Sequence, residues 1–216
     1  METAFARFKA ERVNDLVLDL RYNGGGLVST GGLLASYIAG QRGQNRTYAS
    51  LLYNDKRGTT NNDRYSFDPL FSSLDLPRVF VLVGRRTCSA AEQVINGLRG
   101  VDVQVVAVGD TTCGKPVGFL PASSCGQTYS VVNFEAVNQR NEGRYFYGFD
   151  ATCAVAENFQ QPQGQAGDPL LNAAVALSDG ATCSAAAEGR RQALAARRRA
   201  GPTRGLSDER SDMIAR

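Results

Sequence analysis

Residues 78–109, RVFVLVGRRTCSAAEQVINGLRGVDVQVVAVG, decide the fold. Arg78–Gly84 is apolar on both faces, the pattern of a strand buried between two layers of structure. Ser89-Ala90-Ala91-Glu92 has the S-x-x-E form that opens a helix, and the helix runs to about Leu98. Val103–Val108 reads as a second buried strand. Strand, helix and strand in that order form a crossover unit, right-handed by the rule for parallel strands.

Working outward, Leu16–Leu20 reads as a short buried strand that runs into the turn Tyr22-Asn23-Gly24-Gly25-Gly26. Leu27–Ala39 carries Leu33, Leu34, Tyr37 and Ile38 at helical spacing, and Gly40 stops it. Residues 41–68 are polar and read as a hairpin or an excursion from the core. Downstream, residues 117–149 alternate apolar and polar residues with many aromatics, which predicts antiparallel sheet with a hairpin turning near Asn141-Glu142-Gly143. Residues 154–167 read as a loop. Asp168 as N-cap and Pro169 at the first helical position open a helix over Leu170–Leu177. The fold class is therefore α/β, with one core over residues 1–183. The last segment, 184–216, is Ala, Arg, Gly and Ser, with Arg190, Arg191, Arg197, Arg198, Arg199 and Arg204 crowded into it. A frayed helix or disorder is expected there.

Composition excludes several functions. Net charge is +3 over 216 residues, too little to argue for nucleic acid. No run of eighteen apolar residues exists to span a membrane. The opening METAFARFKAERVNDL is a charged amphipathic segment without a signal peptide's apolar stretch. There is no histidine, so Ser-His-Asp triads, Cys-His dyads and histidine-ligated zinc are all excluded. A base near neutral pH must be a carboxylate, a lysine or a thiolate. The five cysteines lack the C-x-x-C spacing of a zinc site and suggest an oxidising compartment. Cys113 and Cys125 flank the turn after residue 115, and Cys153 and Cys183 bracket the C-terminal segment. Spacing alone fixes neither pairing.

Three segments carry candidate chemistry: LDLRYNGGGL (18–27), RRTCSAAEQVINGL (85–98) and VGDTTCGKPVGF (108–119). Each follows a buried strand, and ligands of α/β sheets gather at the carboxyl ends of such strands. Ser89 can simply cap its helix. The same position places it where backbone N–H groups point outward and an oxyanion is stabilised. Of the three lysines, Lys9 and Lys56 lie in solvated settings, whereas Lys115 follows a buried strand between Gly114 and Pro116. A desolvated lysine loses its charge more readily and can then accept a serine proton. Gly109–Lys115 also fits the start of a phosphate-binding loop, but Pro116 stands where a hydroxyl residue is needed.

These three segments resemble the signatures of the carboxyl-terminal processing peptidases, or tail-specific proteases, over about residues 13–180 in the same order. The resemblance implies a core like those of the Clp protease and crotonase folds, a spiral of parallel strands and helices with an added antiparallel hairpin. It implies Ser89 as nucleophile and Lys115 as base, with backbone N–H groups of Gly24 or Gly25 and of Ala90 forming the oxyanion hole. Glu92 is the candidate to steady the lysine, because Phe119 stands where some members carry a glutamine. It further implies a protein or peptide substrate cleaved near its C-terminus through an acyl-enzyme, no metal or cofactor, and a periplasmic or other extracytoplasmic location. The PDZ domain usual in the family, and strands upstream of the first helix, have no counterpart here, so the core is expected to be N-terminally incomplete. The rival readings are a crotonase-type acyl-CoA enzyme and an inactive binding module of the same fold.

Overall fold

The computed structural model describes residues 1–199 and 213–214. The elements in order are α1 (Glu2–Ala10), β1 (Val17–Asp19), β2 (Gly26–Leu27), α2 (Val28–Ala39), β3 (Thr47–Tyr53), α3 (Gly58–Asn61), β4 (Asp63–Ser66), β5 (Arg78–Val83), α4 (Ala90–Gly100) and β6 (Gln104–Gly109). There follow β7 (Val117–Gly118), β8 (Ala122–Ser124), β9 (Gln127–Tyr129), β10 (Phe134–Val137), β11 (Cys153–Ala154), α5 (Pro169–Ser178), α6 (Ala185–Arg199) and β12 (Met213–Ile214).

The central sheet has the order β1-β5-β6-β11 and is parallel throughout. The apolar run of β5 divides by parity. Val79, Val81 and Val83 pack into a core with Ile38 of α2 and Val94 and Leu98 of α4. Phe80 and Leu82 face the other way, against Leu170 and Ala174 of α5. A strand with water on neither side gains from apolar residues at every position, which is why its sequence does not alternate.

A second sheet, β4-β3-β10-β7, is antiparallel. Of the two readings of residues 41–68, the hairpin holds: β3 and β4 pair antiparallel, and β3 lies inside this sheet with Tyr48, Ala49 and Leu51 fully buried. Tyr48 fills the gap between α2 and α4, where a Cβ on Gly97 would stand 2.5 Å from its ring and one on Gly31 2.6 Å from its hydroxyl. The hairpin expected at 141–143 is elsewhere. It joins β8 to β9 through Cys125 and Gly126, both at positive φ (50° and 74°), the backbone of a tight two-residue hairpin turn. Residues 138–149 instead fold into consecutive turns.

Asp168 caps α5 by accepting from Leu170 N and Leu171 N. It also receives the Arg21 guanidinium at 2.7 Å, and Arg21 simultaneously grips Asp19 at 2.6 Å. This pair, with Arg21 3% and Asp168 1% exposed, fixes the end of β1 to the start of α5. Of the C-terminal segment, Ala185–Arg199 is helical and Ala187 packs beside Leu170 and Cys153. The expectation of disorder over 200–212 and 215–216 falls outside the described residues. No described helix is long and apolar enough to cross a membrane.

Candidate active site

The three motif-bearing loops meet because their backbones are bonded to one another. Thr87, fully buried, donates its hydroxyl to Leu20 O at 2.6 Å and accepts from Gly84 N. Cys88 N donates to Asn23 O, and Cys113 N to Thr87 O, each at 3.0 Å. The turn after β1, the loop before α4 and the loop after β6 therefore form one connected floor.

Ser89 stands at the N-cap of α4 with φ 58° and ψ −120°. A non-glycine residue rarely adopts this backbone, and such strain clusters at functional positions. Its Oγ is buried and is one of three such side-chain atoms without a hydrogen-bond partner among the described residues. A buried hydroxyl normally finds a partner. Ser89 and Glu92 form the capping box expected from S-x-x-E, the Ser89 side chain facing the Glu92 N–H and the Ser89 N–H donating to Glu92 Oε2 at 3.0 Å, while the hydroxyl proton itself goes to no acceptor among the described residues.

Glu92 is the hub of the site and has no exposure. Its carboxylate accepts from Ser89 N, from Lys115 N at 2.8 Å, from Gly114 N at 2.7 Å and from Thr112 Oγ1 at 2.5 Å. Since Oε2 receives both Ser89 N and Lys115 N, those two nitrogens lie within about 6 Å of each other. Glu92 thus serves the lysine through its backbone amide. Burial pushes its carboxyl above the ordinary value, against the lowering by these four hydrogen bonds. Lys115 is half-buried, and its ammonium lies 5.5 Å from the centre of the Phe119 ring. The Phe119 ring is therefore in contact range of the cation.

A bond between Cys88 and Cys113 closes the site, with Cα atoms 5.1 Å apart. A second joins Cys153 to Cys183, and Cys125 is free and exposed. The Cys113–Cys125 pairing considered from sequence is thus replaced. Cys125 is committed to the β8–β9 turn, while the crossover brings Cys88 beside Cys113 from 25 residues away.

Of the backbone donors, Gly25 N–H is occupied by Asn23 Oδ1 at 3.0 Å. Ala90 N lies at the first turn of α4, where amides have no partner within the helix. Sequence reasoning assigned no role to Thr112, whose hydroxyl bridges Glu92 and Phe149 N (2.7 Å), nor to Thr87. The signal for Thr112 was its place in the T-x-G-K segment. Thr87 carried none beyond adjacency.

The family model described as peptidase family S41 matches residues 1–138. Among solved structures, a Bacteroides fragilis protein described as an S41 protease superposes with a TM-score of 0.77 at 33% identity, over 84% of this chain and 49% of its own. The photosystem II D1 C-terminal processing protease gives 0.57 at 25% identity, over 72% of this chain and 38% of its own. A Parabacteroides merdae protein described as a peptidase gives 0.56 at 26%, over 84% of this chain and 59% of its own. No curated protein sequence matches significantly. This chain spans between 38% and 59% of the length of those three structures.

Proposed function

The chain belongs to peptidase family S41, and from that premise we propose that it is the catalytic core of a serine peptidase in which Ser89 attacks the scissile carbonyl and Lys115 takes its proton. The observation that carries the reading is Ser89 itself, a strained residue at a helix N-terminus with a buried hydroxyl whose proton no acceptor among the described residues takes. Glu92 is a positioning residue that sets the nucleophile's backbone and the base's backbone on one carboxylate. As the tetrahedral intermediate forms, negative charge develops on the carbonyl oxygen. Ala90 N–H and the turn at Gly24 and Gly25 are the donors proposed for it. Gly24 is the better placed, because Gly25 already donates to Asn23. One such donor is worth about 3 kcal/mol in the transition state. The lysine then returns its proton to the leaving amine, and water repeats the sequence on the acyl-enzyme.

The pairing of Met213–Ile214 supports a lane for an extended peptide. These residues run parallel to Gly26–Leu27, directly after the proposed oxyanion turn, and lie against β7, directly after Lys115. A peptide added at this edge would pass between the two loops. A preference for free C-termini is part of the proposal on the family resemblance; the nearby crevice of about 350 Å³ is lined by Arg85 and Arg86 but also by Asp110, which pairs with Arg85, and by Glu157. The two disulfides suit a periplasmic or other extracytoplasmic setting.

Hydrolysis of a peptide library by the chain and by its Ser89→Ala and Lys115→Ala variants tests the reading. Turnover lost in both variants, and slower on amidated than on free C-termini, is the expected result. Turnover retained in Ser89→Ala overturns the assignment.

A further inference from the structure

We propose that the Cys88–Cys113 disulfide is a redox-sensitive positioning clamp for the catalytic pair, so that the peptidase turns over with the bond formed and slows when it is reduced. The inference rests on the reading of Ser89 and Lys115 given above. Cys88 immediately precedes the nucleophile, and Cys113 lies two residues before the base. The bond therefore ties together the two loops whose separation sets the distance of proton transfer.

Reduction must change that separation. Bonded sulfurs stand about 2 Å apart, whereas two thiols need a nonbonded separation of about 3.5–4 Å. Little room exists to absorb the difference on the Cys88 side. Cys88 is 4% exposed, Thr87 and Ser89 are wholly buried, and every residue from Ala90 to Leu98 is buried. Cys113 and Gly114 are only partly buried, so the loop carrying Lys115 is the part that gives way.

A second effect acts on Glu92. Both cysteine sulfurs and a Glu92 carboxylate oxygen lie within 4.8 Å of one another, and Cys113 Sγ is 3.6 Å from Oε2. In the disulfide this sulfur carries no hydrogen. Once reduced, its S–H becomes a donor aimed at the oxygen that holds Ser89 N and Lys115 N, and it competes with them.

The chemistry is thiol–disulfide exchange with a dithiol. One thiolate of the dithiol attacks the accessible Cys113 sulfur, and Cys88 leaves as a thiolate that takes up a proton. The second thiol then displaces Cys113, which leaves as a thiol. The protein disulfide has gained two electrons and two protons, and the dithiol has become a cyclic disulfide.

The test uses the full chain. Alkylation under denaturing, non-reducing conditions should modify Cys125 alone. In dithiothreitol redox buffers, kcat for a reporter peptide should fall roughly a hundredfold as the bond opens, the loss expected for a displacement of about 1 Å in a reacting pair, with KM changed less. A Cys153→Ala/Cys183→Ala variant should keep this response, and a Cys88→Ala/Cys113→Ala variant should lose it. Unchanged kcat with Cys88 and Cys113 both alkylatable overturns the proposal, as does a response that disappears with Cys153 and Cys183. Amide hydrogen exchange in the Ser89→Ala chain reads the clamp without catalysis. Residues 113–118 should exchange faster after reduction, and equal exchange overturns the clamp. If the oxidised chain hydrolyses no peptide, the peptidase reading fails, and the exchange experiment alone decides the clamp.

Discussion

Ser89 is held at φ 58° by the fold around it, and that strain has a measurable consequence. Glycine accepts such a backbone without the Cβ penalty. Ser89→Gly should therefore be more stable than Ser89→Ala by roughly 1–3 kcal/mol in urea unfolding, although both lack the nucleophile. Gly114, at φ 87°, is the complementary case. A Cβ there would stand 2.4 Å from Phe146 O and 2.6 Å from Gly148 N, both backbone atoms that cannot swing aside. Gly114→Ala should move the adjacent Lys115 and lower kcat by about a hundredfold, read from steady-state rates on a chain whose circular dichroism is unchanged. That the segments carrying Ser89, Glu92 and Lys115 meet was legible in the sequence, because each follows a buried strand of one parallel sheet. How Glu92 acts was not legible. Its position one helical turn after Ser89 pointed toward the lysine's ammonium, but reaching the amides of residues 89, 114 and 115 depends on how two distant loops fold back. The cysteine partner was hidden for the same reason, since the crossover, and not chain proximity, sets Cys88 beside Cys113.

At the scale of elements, the parallel core followed from one run of residues. Arg78–Val83 is apolar on both faces because α2 and α4 cover one side and α5 the other. The second sheet was harder to read. Its central strand, Thr47–Tyr53, sits in a polar stretch, and what commits it to the core is Tyr48 filling the space left by glycines of two helices. Such complementarity has no periodicity, so the hairpin was legible in residues 41–68 but the depth of its burial was not. The complementarity does predict that Gly97→Ala, whose new methyl group would meet a fully buried ring at 2.5 Å, destabilises the chain by about 1–3 kcal/mol through overpacking. Thermal unfolding would show it as a lowered midpoint. The downstream hairpin was misplaced because Asn141-Glu142-Gly143 looks like a turn and is one, but Cys125-Gly126 makes the tighter reversal between strands.

At the scale of the whole molecule, one buried ion pair ties the site-bearing sheet to the helix beneath it. Burial raises the pKa of Asp168, but hydrogen bonds from Arg21 and from Gly164 N and Leu171 N outweigh it and hold the carboxyl below its ordinary value. The stability Asp168 contributes is therefore fully present above the ordinary aspartate range and is lost as pH falls through the lower folded value. Asp168→Ala should cost about 1–3 kcal/mol near pH 7, because it removes the cap of α5 and one of Arg21's two carboxylate partners while Asp19 still pairs the guanidinium, and less at pH values where the wild-type carboxyl is protonated. Urea unfolding of both chains across pH 2–7 reads this. Ending the chain at Asp212 should raise kcat/KM for peptides, since it frees the Gly26–Leu27 edge that Met213–Ile214 occupies. The central claim, however, is that lysine activates serine, and a fluorophosphonate probe tests it most directly. Peptide mapping of the labelled chain should find the adduct on Ser89, with labelling abolished in Lys115→Ala and in Lys115→Arg, whose guanidinium stays charged. Labelling of Ser89 in Lys115→Arg at the wild-type rate, or an adduct at any other residue, would contradict the account.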